Sequence, residues 1–145
     1  MKLSNKITRS KGIRQLAYLA GVIDGEGTIG IYHNKKRNEY RLKVYVVNTD
    51  ERLIRWLQDN FGGYVYSRVS VKNPHWKRKY EWHLLDDELL LEKILKYLVV
   101  KQENAKLGIE FRKTFQNKKS FRLSNKIKEK RKNICSEMQK LNHRI

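Results

Sequence analysis

The spacing of hydrophobic positions changes several times along the chain, and each change marks an element. Between about Ile13 and Asp24, Ile13, Leu16, Ala17, Leu19, Ala20, Gly21 and Ile23 recur at helical spacing, as on a helix with one apolar face. Beyond Gly27 the period becomes two. Over 39–47, Glu39, Arg41, Lys43 and Tyr45 alternate with Tyr40, Leu42, Val44 and Val46, which predicts a strand with one basic and one apolar face. The same alternation at 65–72 sets Val65, Val69 and Val71 against Tyr66, Arg68, Ser70 and Lys72, and after an Asn73-Pro74 turn Lys77, Lys79 and Glu81 alternate with Tyr80, Trp82 and Leu84.

Between the strand pairs, Thr49 or Asp50 can cap a helix carrying Leu53, Leu57 and Phe61, which Gly62-Gly63 stops. Asp86 and Asp87 open another helix, with Leu90, Ile94 and Leu98 on one face. The predicted order is αββαββα, an α+β domain with a four-stranded antiparallel sheet. From Lys101 onward two further helices follow, the last with a stripe of Leu123, Ile127, Ile134, Met138 and Leu141. With no linker and no repeat, the expectation is a single domain over 1–145, with a core at about 10–100 and a basic helical part at about 101–145.

Charge narrows the partner. The chain has 33 Lys+Arg against 15 Asp+Glu, a net charge of +18, which self-repels unless a polyanion neutralises it. Over half of that excess lies in residues 101–145, with 14 Lys+Arg against 4 Glu. No apolar run approaches the ~20 residues of a spanning helix, so nucleic acid is favoured over a membrane. Met1 to Ser10 lacks the apolar segment of a signal peptide, and one cysteine cannot form an internal disulfide, so an intracellular location is expected. His33, His75, His83 and His143 are too dispersed for a zinc site.

Candidate chemistry concentrates in Leu19-Ala20-Gly21-Val22-Ile23-Asp24-Gly25-Glu26-Gly27 and the residues just after it. Gly25, Gly27 and Gly30 fit the G-x-G-x-x-G dinucleotide pattern, but that pattern needs a strand before it and a helix after, the reverse of the order here. Gly30-Ile31-Tyr32 has no Tyr-Ile-Gly partner downstream. The nine-residue stretch itself closely resembles the LAGLIDADG signature of homing endonucleases, six of nine positions being identical. The departures are Val22, Gly25 and Glu26.

The resemblance implies a homodimer of single-motif chains, with Ala17, Ala20, Gly21, Asp24 and Gly25 on the seam between two motif helices. It implies that Glu26, with the Gly25 carbonyl, binds Mg²⁺, for which Mn²⁺ can substitute. It also implies that Lys101 lies beside the scissile phosphate, and that Asn48, with Arg52 a turn further on, positions water. Asp24 is assigned to capping or interface hydrogen bonds. The family lays its sheet in the DNA major groove, which makes Thr28, Gly30, Tyr32, Asn34, Lys36, Glu39, Arg41, Lys43 and Tyr45 candidate DNA contacts, together with Tyr66, Arg68, Ser70, Lys72, Lys77, Lys79 and Glu81. Lys118, Lys119, Lys126, Lys130, Arg131 and Lys132 are assigned to phosphates, and Tyr40, Tyr80 and Trp82 to the core. The implied activity is metal-dependent, site-specific cleavage of both strands at a long pseudo-palindromic target, leaving 3′ overhangs. A maturase that binds host intron RNA on the same scaffold is the alternative.

Overall fold

The computed structural model describes residues 12–115 and 124–143. Helix α1 (Ile13–Glu26) runs directly into β1 (Gly27–Asn34), which a hairpin joins to β2 (Glu39–Asn48). Helix α2 (Glu51–Phe61) leads to β3 (Tyr64–Arg68) and β4 (Lys79–Leu85), and α3 (Glu88–Ile94), a 3-10 turn (Leu95–Tyr97), α4 (Gln102–Lys113) and α5 (Asn125–Asn142) complete the described chain. The sheet is antiparallel throughout, in the order β1-β2-β4-β3. This is the predicted α+β arrangement, with the two extra helices in place.

Local chemistry sets the boundaries. Asp50 caps α2 by accepting from Arg52 N, and Asp87 caps α3 by accepting from Leu90 N. Helix α2 stops at Gly62 and Gly63, both at positive φ, a conformation that costs glycine little. The Trp82 indole, fully buried, donates to Gly62 O at 2.8 Å and ties that stop to β4.

One core lies on the inner face of the sheet. Leu16, Leu19, Ala20 and Ile23 of α1 meet Ile29 and Ile31 of β1, Leu42, Val44 and Val46 of β2, and Ile54, Leu57 and Phe61 of α2. Gly27 makes the helix-to-strand turn compact: a Cβ there would lie 2.8 Å from the Ile23 Cα, closer than packed atoms tolerate. At the far side α5 lies against β1, where buried Cys135 donates Sγ–H to Ile31 O at 3.4 Å. Asn142 donates to Ile29 O at 3.1 Å and accepts from buried Asn104 of α4 at 2.8 Å.

The third predicted strand is shorter than expected. Pairing ends at Arg68↔Lys79, so Ser70, Lys72 and Lys77 lie in the β3–β4 connection and Val69 and Val71 are exposed. Among the described residues no helix is long and apolar enough to cross a membrane.

Candidate active centre and nucleic-acid face

The end of α1 is where the predicted chemistry collects. Asp24 turns back into the fold: its carboxylate accepts from the backbone N–H groups of Val99, Val100 and Lys101 at 2.8, 3.1 and 2.9 Å. An anion is thereby placed at the start of α4, where the helix dipole favours it and N–H groups lack intrahelical partners. Lys101 answers in the opposite sense. Its ammonium donates to the carbonyls of Ile23 and Asp24 at 2.9 and 3.0 Å, capping the C-terminal end of α1 with a cation. Burial lowers the Lys101 pKa from its ordinary value, and the Asp24 charge opposes that shift.

Of the two roles expected of Asp24, capping is the one its carboxylate fills within its own chain, as a clasp between α1 and α4. Ala20 departs from its expected place on the seam: it is fully buried in the core of its own chain, because it lies on the face of α1 that carries Leu16, Leu19 and Ile23. Ala17, Gly21 and Gly25, four residues apart, form the outer stripe and are exposed. A Cβ added at Gly21 or Gly25 would meet nothing within 4 Å. A second helix can therefore approach this stripe closely.

Glu26 is exposed on the last turn of α1, an end where the dipole disfavours an acid. Lys101 takes the two carbonyls preceding Gly25 and, with three N–H donors, keeps one free. The Glu26 carboxylate and Gly25 carbonyl are hard oxygen donors of the type a divalent cation takes. Among the described residues no three His, Cys, Asp or Glu side chains gather into a metal cluster. With the Asp24 carboxylate engaged by Val99, Val100 and Lys101, Glu26 is the acid of the motif left exposed.

Asn48 lies at the same end of the sheet, two residues past Val46, which pairs with Gly27. Its Oδ1 accepts from Asp50 N at 2.7 Å, so it shapes the turn into α2. Arg52 does not converge on Glu26. It pairs with Asp50 at 2.7 Å, is 91% exposed, and lines an open groove of about 820 Å³ with Arg14, Ala17, Tyr18 and Trp56. Nine residues separate Ala17 from Glu26, about 13 Å along a helix axis. The Arg52 pair holds the Asp50 carboxyl well down, at a pKa of about 2.

The outer face of the sheet carries the predicted polar set in register. Thr28 faces Tyr45, Gly30 faces Lys43, Tyr32 faces Arg41 and Asn34 faces Glu39. Tyr32 donates its hydroxyl to that of Tyr45 at 3.3 Å, and the Lys43 ammonium lies 5.2 Å from the Tyr32 ring centre. Gly30 is on this face but buried, with the Tyr32 ring where its Cβ would be, so it offers no atoms outward. Asn34 accepts from the N–H groups of Lys36 and Arg37 and so forms the hairpin turn that holds Lys36.

Glu81 departs most from its predicted role. It is 7% exposed and pairs with Arg68 at 2.6 Å, with His83 3.6 Å away on its other oxygen. The sequence reading missed His83, although it continues the outward phase of Lys79 and Glu81. Its ring stacks with Tyr45 and Tyr64. Burial lowers the His83 pKa, against the opposing pull of Glu81.

On α5, Lys126, Lys130 and Lys132 are exposed as a phosphate-contacting role requires, but Arg131 is not. It is 7% exposed, its guanidinium lies 3.6 Å from the Phe115 ring centre, and it donates to the Thr114 hydroxyl and carbonyl. Arg131 is a packing residue that joins α5 to the end of α4. Lys118 and Lys119 lie outside the described residues.

Comparison with known proteins places this geometry. Residues 19–98 match the family model for LAGLIDADG endonuclease. The intron-encoded RNA maturase bI4 of Saccharomyces cerevisiae is 39% identical over 66 residues, 46% of this chain and 10% of that protein. The probable intron-encoded endonuclease aI3 of Dictyostelium citrinum is 26% identical over 116 residues, 74% of this chain and 46% of that one. The chain thus spans less than half the length of either. The crystal structure of the homing endonuclease I-CvuI in complex with its target superposes with a TM-score of 0.68 at 21% identity, covering 88% of this chain and 82% of that one. At that identity the likeness establishes the fold.

Proposed function

The chain belongs to the LAGLIDADG endonuclease family, and from that premise we propose that it is a homodimeric, site-specific DNA endonuclease that cuts both strands of a long pseudo-palindromic target, leaving 3′ overhangs. The observation that carries the proposal is the end of α1: an exposed acid in an unfavourable helix position, with a cation clasped beside it and an open small-residue stripe on the same helix. The helix dipole gives this acid no stabilisation, so a bound cation is the partner that its position invites.

A two-fold dimer through Ala17, Gly21 and Gly25 would set two α1 ends side by side and bring two Glu26 carboxylates together. Mg²⁺, held by Glu26 and the Gly25 carbonyl, with Mn²⁺ as a substitute, would polarise the scissile phosphate and make water a stronger nucleophile. The remaining N–H of Lys101 is free to donate to a phosphate oxygen as charge develops there. Because Asp24 and the two carbonyls fix Lys101, that donor needs little reorganisation. Asn48, at the same sheet end, has an amide nitrogen that can hold water. The sheet face would enter the major groove, and the exposed lysines of α5 would add sequence-independent affinity. Action on DNA places the protein inside the cell, in whichever compartment holds its target.

A second reading follows from the similarity to the bI4 maturase: the scaffold would bind its host intron RNA, alone or in addition to cutting DNA. Incubating the protein with Mg²⁺ and a randomised duplex library, then sequencing cut ends, tests the first reading. Glu26→Gln should reduce cleavage by at least roughly a thousandfold with DNA binding near wild type. Full nicking by that variant would remove Glu26 from the centre. No cleavage by wild type, with tight binding to a structured intron RNA, would favour the maturase.

A further inference from the structure

We propose that Arg68 is the guanine-reading side chain of the β3–β4 ribbon and that Glu81 is its positioning residue. The inference rests on the DNA-reading function above and assigns two side chains within it.

The starting point is the cost of Glu81. It faces outward with the sheet's polar set, yet only 7% of it is exposed, and a buried carboxylate is unfavourable unless a partner compensates it. Its partner is Arg68, a diagonal neighbour, since Tyr66 pairs with Glu81 and Arg68 with Lys79. His83, 3.6 Å from Oε1, stacks with Tyr45 and Tyr64 at centroid separations of 5.2 and 5.6 Å, and Tyr66 meets it edge-on at 5.3 Å.

The atom through which Arg68 pairs decides its use. Nε, not a terminal nitrogen, lies 2.6 Å from Glu81 Oε2, while the side chain stays 73% exposed. The ion pair lies on the Nε side of the guanidinium, and of its five N–H groups those on both terminal nitrogens remain for the paired O6 and N7 acceptors of guanine. Arg41, the other arginine paired on this face, differs: its Nη1 points to Asp86 at 3.4 Å, so one terminal nitrogen is already used. Lys43 and Lys79 are point charges without a planar fork. Holding Arg68 in advance lowers the side-chain entropy lost on binding.

The test is a cleaved-target profile from a randomised duplex library for wild type, Arg68→Ala, Arg68→Lys and Glu81→Gln. In wild type, one position of each half-site should require guanine. Arg68→Ala should lose that preference by roughly 10- to 100-fold while other positions keep theirs. Arg68→Lys should not restore it, and Glu81→Gln should keep the same preferred base with several-fold weaker discrimination. Equal loss over all sequences would make Arg68 a phosphate contact and overturn the proposal, as would an unchanged profile. If Glu81→Gln fails to fold by circular dichroism, the two Arg68 variants decide alone. If wild type binds duplex DNA without cutting it, the nuclease reading fails, and the binding profile of the same library decides whether Arg68 selects guanine. A wild type that neither binds nor cuts duplex DNA overturns both.

Discussion

The end of α1 and the outer face of the sheet are both polar and both at the surface, joined by one peptide bond between Glu26 and Gly27, but they are built by opposite rules. At the helix end the polar groups serve the backbone of another element. Asp24 takes three N–H groups of the segment entering α4, and Lys101 returns to two carbonyls of α1. On the sheet and on α5, Lys79, Lys126, Lys130 and Lys132 are exposed, and the exposed arginines Arg41 and Arg68 each sit beside a carboxylate. A centre that must hold a reacting group gains from fixed geometry. A surface that meets a polyanion gains from cations left free to replace its counterions.

The most severe way to break the contrast leaves both regions intact and separates the copies of the proposed dimer. Gly21→Leu adds a side chain where a single chain leaves open space, so the fold should persist, with its melting temperature within a few degrees of wild type. The close helix approach should be lost, and double-strand cleavage with it. Sedimentation should give the mass of one chain. A Gly21→Leu protein that stays dimeric and cuts normally would show that the copies meet elsewhere.

Asp24→Ala attacks the clasp itself. Removing the carboxylate strips three N–H groups of their acceptor at once, and the loss should be about 2–4 kcal/mol, read from urea unfolding. Asp24→Asn should recover part of it, since an amide oxygen still accepts. A change under about 0.5 kcal/mol would mean that water replaces the carboxylate without penalty.

The two regions also differed in how far they could be read from the sequence. Elements were legible where the signal is local: Asp50 and Asp87 as caps, Gly62-Gly63 as a stop, and the alternation of 39–47 as a strand with its outward set correct. The identity of Glu26 as an unusual acid was legible because the motif is contiguous. The clasp was not, because Asp24 and Lys101 are 77 residues apart and only the fold joins them. Alternation carried β3 on to residue 72, but a strand ends where its partner does, and β4 begins at Lys79 opposite Arg68. Glu81 read as a free acceptor and Arg131 as a phosphate contact for a related reason: a residue's type says nothing of the side chain that will cover it. Ala20 is the exception. It lies three residues from Ala17, on the flank that carries Leu16 and Ile23, so helical geometry alone could have removed it from the outer stripe.

Lys101→Met sharpens the comparison at the boundary between structure and chemistry. The methionine keeps the stem and loses the ammonium that meets two helix-end carbonyls, so stability should fall by only about 1 kcal/mol. Cleavage should fall further, by roughly 10- to 100-fold, with binding to target DNA little changed. Equal losses in both readouts would make Lys101 a cap and nothing more.

The smallest expected effect lies on the sheet, where His83 is a histidine of the outer face held between Tyr45 and Tyr64. Its pKa is lowered first by burial, with Glu81 opposing and Lys43 and Arg68 adding to the fall. A histidine with a folded pKa below its unfolded value favours the neutral form on folding. Its contribution to stability is therefore complete above the unfolded pKa of about 6.5 and is lost as pH falls through the lower folded value. The slope from one such group cannot exceed about 1.4 kcal/mol per pH unit, and the exposed rim of the ring reduces it. His83→Phe keeps a ring to stack with Tyr45 and Tyr64 and removes the titration. Urea midpoints measured from about pH 7.5 down to about pH 5 should fall less steeply for the variant than for wild type. Below the folded pKa of His83, its protonated ring would compete with Arg68 for Glu81, so discrimination at the guanine position should weaken there in wild type and hold in His83→Phe. Parallel stability curves for the two proteins would mean that His83 titrates alike in the folded and the unfolded chain, and that its burial against Glu81, Tyr45 and Tyr64 leaves no trace in stability.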